Sequence, residues 1–154
     1  MSPVTTVAKF DKEIIPSSVC KTIIRLNKEG FSALIVGGFL RDCLANIKAK
    51  DYDIVTDAKP EQIRKIFKNS RIVGRRFPIV HVYDSNRGFI EVSTFRSGQS
   101  VSNDDGFIIR DRSFGTIEQD VVRRDFTINS LYYNYSDHPL LIFWEGLMIL
   151  KTKL

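Results

Sequence analysis

The sequence predicts an α+β domain, and three stretches carry that prediction. Pro16-Ser17-Ser18 opens a helix whose apolar Val19, Ile23 and Leu26 recur at helical spacing until Gly30 stops it. Residues 31–55 run strand, glycine turn, helix, strand as one unit. Residues 77–95 are two β-rich runs around Asp84-Ser85-Asn86-Arg87-Gly88, a turn-forming loop, and read as a hairpin. With 154 residues, 43% of them hydrophobic, the chain is sized for one domain with a real core.

In chain order, residues 1–15 read as a loose lead-in, and residues 16–154 as the domain itself. Phe31 to Val36 is the first strand, Phe39 to about Ala45 a helix, and Tyr52 to Val55 the second strand, with a basic turn from Lys48 to Lys50 between. Pro60 sits at a first helical turn ahead of Glu61 to Phe67, where Ile63 and Phe67 form an i, i+4 apolar pair. Ser97 to Asp105 is small, polar and without periodicity, which predicts a mobile loop. Thr116-Ile117-Glu118-Gln119 matches a capping box and starts a helix carrying Asp120, Arg123 and Arg124. His81, in an apolar strand, reads as packed or hydrogen-bonded rather than catalytic, and Phe126, Tyr132, Tyr133, Phe143 and Trp144 read as core before they read as a base-stacking platform.

Charge and cysteines bound the setting. A net +5 and a pI near 9.3 suit a nucleic-acid partner without the excess of a pure coating protein. Cys20 and Cys43 form no C-x-x-C and predict reduced thiols in the cytoplasm. The N-terminus has no basic-then-apolar leader and the longest apolar run, Leu140 to Trp144, is far short of a membrane span, so a soluble, unexported protein is expected.

The candidate site lies between Gly37 and Asp53. Gly37 and Gly38 follow the β-branched run Ala33 to Val36 and let the backbone lie against a ligand of phosphate size. The period of two places Asp51 and Asp53 on one strand face. Two carboxylates roughly 4 Å apart repel by about 4 kcal/mol at an effective dielectric of ~20, so they call for a proton or a cation. Mg²⁺ is the natural occupant: it takes oxygen ligands, binds through one or two carboxylates and completes its shell with water and phosphates. A phosphoryl- or nucleotidyl-transfer site with two metal ions is the reading that results. Each half is weak alone, since Gly-Gly after a strand is most often a tight turn and D-x-D most often a solvated rim. Glu91, within the second hairpin strand, stays open between exposure on an edge face and service as a third carboxylate on a neighbouring strand. Arg123, Arg124, Asp125 and Asn129 stay open between a grip on triphosphate and ribose and a surface ion-pair cluster.

Residues 34–67, LIVGGFLRDCLANIKAKDYDIVTDAKPEQIRKIF, resemble the head-domain signature of the class II tRNA nucleotidyltransferase and bacterial poly(A) polymerase family, in which Gly-Gly-x-x-Arg-Asp precedes Asp-x-Asp. RRDFTINSLYY, residues 123 to 133, resembles the same family's nucleotide-binding motif, and RLNKEGF, SRIVGRRFPIVHVYD with IEVSTFR, and RDRSFGTIEQD are similar to its poly(A) polymerase branch. The resemblance covers residues 17 to 146. It implies a polymerase β-like nucleotidyltransferase head, a mixed sheet with flanking helices. It further implies that Asp51 and Asp53 bind Mg²⁺ with Glu91 as a further ligand, that Gly37, Gly38 and Arg41 hold the triphosphate with Asp42 bracing the glycine turn, and that Asp125 belongs to the active site. Arg123, Arg124 and Asn129 would bind triphosphate and ribose. The reaction implied is template-independent attack of an RNA 3′-hydroxyl, of mRNA or tRNA, on the α-phosphate of ATP, or of CTP in the CCA-adding branch; DNA and membranes are not among the implied partners. Two departures stand out. A glycine common in the motif is here Phe39, and the family's neck, body and tail domains are absent from a chain ending at Leu154. A truncated or split gene product is expected on that ground, completed by a partner chain or persisting as a non-catalytic nucleotide- or RNA-binding remnant.

Overall fold

The computed structural model describes residues 4–5, 12–45, 47, 49, 51–85, 88–97, 101–102, 108–110, 114–124, 131–135 and 140–142. Its elements are β1 (Val4–Thr5), a 3-10 turn (Lys12–Ile14), α1 (Ser17–Lys28), β2 (Ala33–Val36), α2 (Gly38–Leu44), β3 (Asp53–Thr56), α3 (Pro60–Ile66), β4 (Ser70–Val73), β5 (Ile79–Asp84), β6 (Gly88–Thr94), β7 (Val101–Ser102), β8 (Ile108–Arg110), α4 (Ile117–Val122), β9 (Leu131–Tyr133) and β10 (Leu140–Ile142).

The first helix follows from its pattern. α1 buries Val19, Thr22, Ile23 and Leu26 on one face. It ends in a Schellman motif: the Phe31 N–H donates to the Leu26 carbonyl at 3.0 Å and the Gly30 N–H to the Asn27 carbonyl at 3.0 Å, with Gly30 at φ +88°. The chain thereby reverses and enters β2.

Eight strands form one sheet in the order β1-β10-β9-β2-β3-β6-β5-β4, and β7 pairs with β8 in a separate ribbon. Every neighbouring pair in the large sheet is antiparallel except β3 with β6, which is parallel. The sheet is therefore mixed, as the resemblance implies. Alternation along β2 divides the core. Ala33 and Ile35 join Ile54, Val80, Val92 and Leu131 on the face covered by α1, α2 and α3. Leu34 and Val36 join Val55 and Tyr132 on the opposite face, against Phe95 and Val121 of α4. All four residues of β2 are buried, which is why its run is apolar rather than alternating.

Several boundaries differ from the sequence reading. Phe31 and Ser32 precede β2, and Tyr52 precedes β3. Within the stretch read as a lead-in, Val4–Thr5 pairs with β10 at the sheet edge. Val101–Ser102, inside the stretch read as a loop, pairs with β8. Tyr132 and Tyr133 are core, at 0% and 1% exposed; Phe126, Phe143 and Trp144 lie outside the described residues. Cys20 is half-buried with a free thiol, and the Cys43 side chain is likewise outside the description. Among the described residues no helix is long and apolar enough to cross a membrane.

An alanine at Gly30 would place its Cβ in open space, so its cost is purely conformational. We expect Gly30→Ala to lower unfolding stability by about 1–2 kcal/mol, the penalty of a left-handed L-residue, with an unchanged far-ultraviolet spectrum; urea denaturation measures it.

Candidate active site

The site is built where β2 stops. Its last residue, Val36, pairs with Asp53, and Gly37 then leaves the sheet at φ +85°. A Cβ on Gly37 would stand 3.4 Å from Asp53 Oδ2, so the glycine turn lies directly against that carboxylate. At Gly38 a Cβ would meet Arg41 Nη2 at 3.1 Å, so the guanidinium is folded back over the second glycine. Arg41 Nε donates to Asp42 Oδ1 at 3.1 Å. Asp42 contacts Arg41, the residue folded over the second glycine.

The strand-period argument fails for Asp51. β3 begins at Asp53, because β2 offers no residue beyond Val36 to pair with positions 51 and 52, and Asp51 is exposed ahead of the strand. Its charge still bears on Asp53. The edge-face reading of Glu91 holds only in its exposure: the side chain is 44% exposed, but β6 lies inside the sheet between β3 and β5. Parallel pairing sets Glu91 opposite Asp53, on the α4 side of the sheet, where a protonated Asp53 carboxyl can donate to Glu91. Burial, the Glu91 charge and that hydrogen bond, with a smaller push from Asp51, raise the Asp53 carboxyl to about 6 against an opposing pull from Arg124. Among the described residues no three candidate ligands close into a metal cluster.

His81 on β5 faces Glu91 across the hairpin, with Nε2 3.4 Å from Oε1, and stacks on Phe89 at 3.9 Å between ring centroids. Of the sequence reading, a packed or hydrogen-bonded histidine, the packing is seen, against Phe89 and on the site face.

Arg123 and Arg124 complete a cleft of about 180 Å³ that Asp53, Glu91, Ser93 and Arg96 also line. They are not a surface cluster. The Asp120 carboxylate, 0% exposed, gathers them: Oδ1 accepts from Arg123 Nε at 2.9 Å and Nη2 at 2.6 Å and from the Arg96 N–H at 3.2 Å. Oδ2 accepts from Arg124 Nε at 3.0 Å and Nη2 at 2.9 Å and from the Tyr132 hydroxyl at 2.9 Å. Burial pushes the Asp120 carboxyl upward, but Arg124, Arg123 and the Tyr132 hydroxyl outweigh it and hold the group below its ordinary range. Helix α4 presents this carboxylate because the capping box forms as read: the Gln119 N–H donates to Thr116 Oγ1 at 3.4 Å and the Thr116 N–H to Gln119 Oε1 at 3.0 Å. Sequence reasoning missed Asp120, although its i, i+3 and i, i+4 spacing to the two arginines was a visible signal. Asp125 and Asn129 lie outside the described residues, as do Lys48 and Lys50. A roomier hollow of about 400 Å³ at the other end of β2, near Asn27 and Asn134, is lined among the described residues by no charged side chain.

Residues 33–154 match the family model of the poly A polymerase head domain. The chain belongs to that family. The head domain is 46% identical to poly(A) polymerase I of Haemophilus influenzae over 94% of its own length and 36% of that protein's. It is 44% identical to poly(A) polymerase I of Salmonella typhi over 92% of its length and 32% of the relative's. A CCA-adding enzyme of Enterococcus faecalis is 37% identical over 82% of the chain. Among solved structures, the Bacillus stearothermophilus CCA-adding enzyme in complex with CTP superposes with a TM-score of 0.72 at 27% identity, covering 92% of this chain and 32% of that one. The head domain therefore spans about a third of the length of the relatives it matches.

Two stability predictions follow from the charges. Asp120→Ala takes the carboxylate acceptor from two partly buried guanidinium groups and the Tyr132 hydroxyl, leaving Arg124 Nε its 2.9 Å bond to the Tyr132 oxygen, and is expected to cost the head domain about 3–5 kcal/mol in chemical denaturation, against about 1 for Tyr132→Phe. Asp53 has the opposite sign. Its carboxyl sits at about 6 in the fold against 3.8 ordinarily, so the fold favours its protonated form; that contribution is complete below the ordinary value and is lost as pH rises through 6. In metal-free buffer Asp53→Asn, which cannot ionise, is expected to melt above the parent at pH 8, and the gap to close as pH falls towards 4.

Proposed function

We propose that the head domain is the nucleotidyl-transfer centre of a template-independent polymerase that adds AMP from ATP to RNA 3′ ends. The observation that carries this reading is one juxtaposition: the Gly37 turn lies against Asp53 Oδ2, Glu91 sits across the sheet from it, and Arg123 and Arg124 close the same cleft. Glycine backbone, oxygen donors and guanidinium groups are the three things a metal-bound triphosphate needs. The names of the 44–46% identical relatives support adenylate as the unit added.

The residues fit Mg²⁺. Two like-charged carboxylates held together at the cost of a raised Asp53 carboxyl are relieved by a divalent cation, and all donors are hard oxygens. Asp51 and Asp53 would hold it, with Glu91 steadying Asp53 from the next strand. Bound there, the metal supplies charge neutralisation on the phosphates and activation of the attacking oxygen. The chain does the positioning. Gly37 and Gly38 add no side chain of their own to the turn, Arg41, folded over Gly38, meets the outer oxygens of the triphosphate, and Arg123 and Arg124, locked by Asp120, stabilise charge as it develops. The RNA 3′-oxygen forms a bond to the α-phosphorus while the bond from that phosphorus to the bridging oxygen of pyrophosphate breaks; the hydroxyl proton passes to water. Asp125 and Asn129 belong to the same assignment, as active-site carboxylate and ribose ligand. The cytoplasm is the setting this chemistry implies.

Addition of C and A to tRNA is the second reading, favoured by the likeness to the CTP complex of the CCA-adding enzyme. Extension of a short labelled RNA decides between them. With Mg²⁺, ATP should be incorporated in preference to CTP, and the Asp51→Ala, Asp53→Ala double variant should lose incorporation by at least about a hundred-fold, beyond the roughly ten- to hundred-fold loss that follows removal of outer-shell partners alone. Preferential use of CTP on a tRNA lacking its CCA end favours the second reading. Folded protein that binds no Mg²⁺–ATP sinks both.

A further inference from the structure

The proposed chemistry leaves one feature of the site face unused. On the β5–β6 hairpin, Phe89 is 47% exposed and Tyr83 40%. Cross-strand pairing puts Tyr83 opposite Phe89 and His81 opposite Glu91, so these side chains share the face of Glu91 and, one strand on, Asp53. They are ordered as rings: His81 lies parallel to Phe89 at 3.9 Å and 10°, and Tyr83 meets Phe89 edge-on at 6.1 Å and 72°. Phe89 precedes Glu91 by two residues, just as Asp51 precedes Asp53, so the stack extends beyond the end of β3, roughly 7 Å along the strand from the carboxylate pair. Single exposed apolar side chains are ordinary. A ring stack that leads into a carboxylate site is not.

Charge decides what such a surface fits. Arg71, exposed on β4, pairs opposite His81 on the same face, and Arg96 lines the adjoining cleft. Rings to stack on, with guanidinium groups beside them for phosphate, make a surface for single-stranded nucleic acid rather than for an apolar protein segment. We propose that this face seats the single-stranded RNA next to its 3′ end, with Phe89 as the ring on which a base stacks, so that the terminal hydroxyl is delivered to Asp53 and Glu91. The inference rests on the reading of the cleft as an RNA-extending site.

The test is binding of a labelled oligoadenylate of about ten nucleotides by fluorescence anisotropy, with Mg²⁺–ATP binding measured on the same preparations. Phe89→Leu keeps an apolar side chain but no ring, and is expected to weaken RNA binding roughly five- to 150-fold, the range found for removal of a stacking ring. Phe89→Trp should bind as tightly as the parent or more so, and both variants should retain ATP binding. Arg71→Gln should lower the slope of log affinity against log salt by about 0.7. If Phe89→Leu, melting at the parent's temperature, binds RNA as the parent does, or if the parent binds no RNA, the assignment is overturned and the face is left to a protein partner. Failure of the parent to bind Mg²⁺–ATP instead overturns the reading of the cleft, and the Leu and Trp comparison still reports on the platform.

Discussion

Asp120 is the carboxylate on which the site's electrostatics turn. Arg123 and Arg124 point into the cleft that holds Asp53 and Glu91, yet two adjacent guanidinium groups repel each other and each would be drawn to the nearest anion. By accepting from both, and from Tyr132 and the Arg96 backbone, Asp120 ties the end of α4 to β9 and to the residues following β6. Its full burial makes the arrangement all-or-none: a carboxylate with no solvent contact must be completely satisfied, and six donors do so. The cations are thereby fixed before any ligand arrives, which is what pre-organised stabilisation of phosphate charge requires.

The anionic half depends on topology in the same way. The one parallel contact in the large sheet, β3 with β6, sets Asp53 against Glu91, and the fold tolerates the resulting repulsion through a shared hydrogen bond and the opposing pull of Arg124. Around it the other sheet face is closed by three helices over an apolar layer. Stability is concentrated on that side. The cleft face carries the unfavourable charges, so the two faces of β3 and β6 differ: Ile54 and Ile90 fill the core while Asp53 and Glu91 line the cleft.

How much of this the sequence discloses depends on whether a feature is local. The α1 pattern and its Gly30 stop, the glycine turn into α2, the β5–β6 hairpin and the Thr116 capping box each lie within a few residues and were all readable. The β4 strand was not, because Arg71 on an edge weakens its apolar signal, and neither were β9 and β10, whose existence depends on partners far away in sequence. The same limit explains the site. Asp53 was identified, but its neighbour across the sheet is fixed by a register between residues 38 apart, which left Glu91 between two readings. Asp51 was misplaced because a strand's period says nothing about where its partner ends. Asp120 was passed over because a carboxylate next to two arginines resembles a surface ion pair until burial is known.

Phe39 shows how the departure from the motif is accommodated. Where the resemblance leads one to expect another glycine, this chain places a ring that is 4% exposed and packs in the core under the first turn of α2. Its centroid lies 4.9 Å from that of Tyr52, tilted by 54°. Tyr52 stands between Asp51 and Asp53, so this contact fastens the approach to β3 against the helix that carries Arg41. A glycine there would offer no such anchor. The carboxylates on either side of Tyr52 are then placed by a pair of rings on the core side, while the Gly37 backbone remains free to lie against Asp53 on the other. The substitution changes the means of positioning and leaves the turn at Gly37 and Gly38 with no side chain of its own.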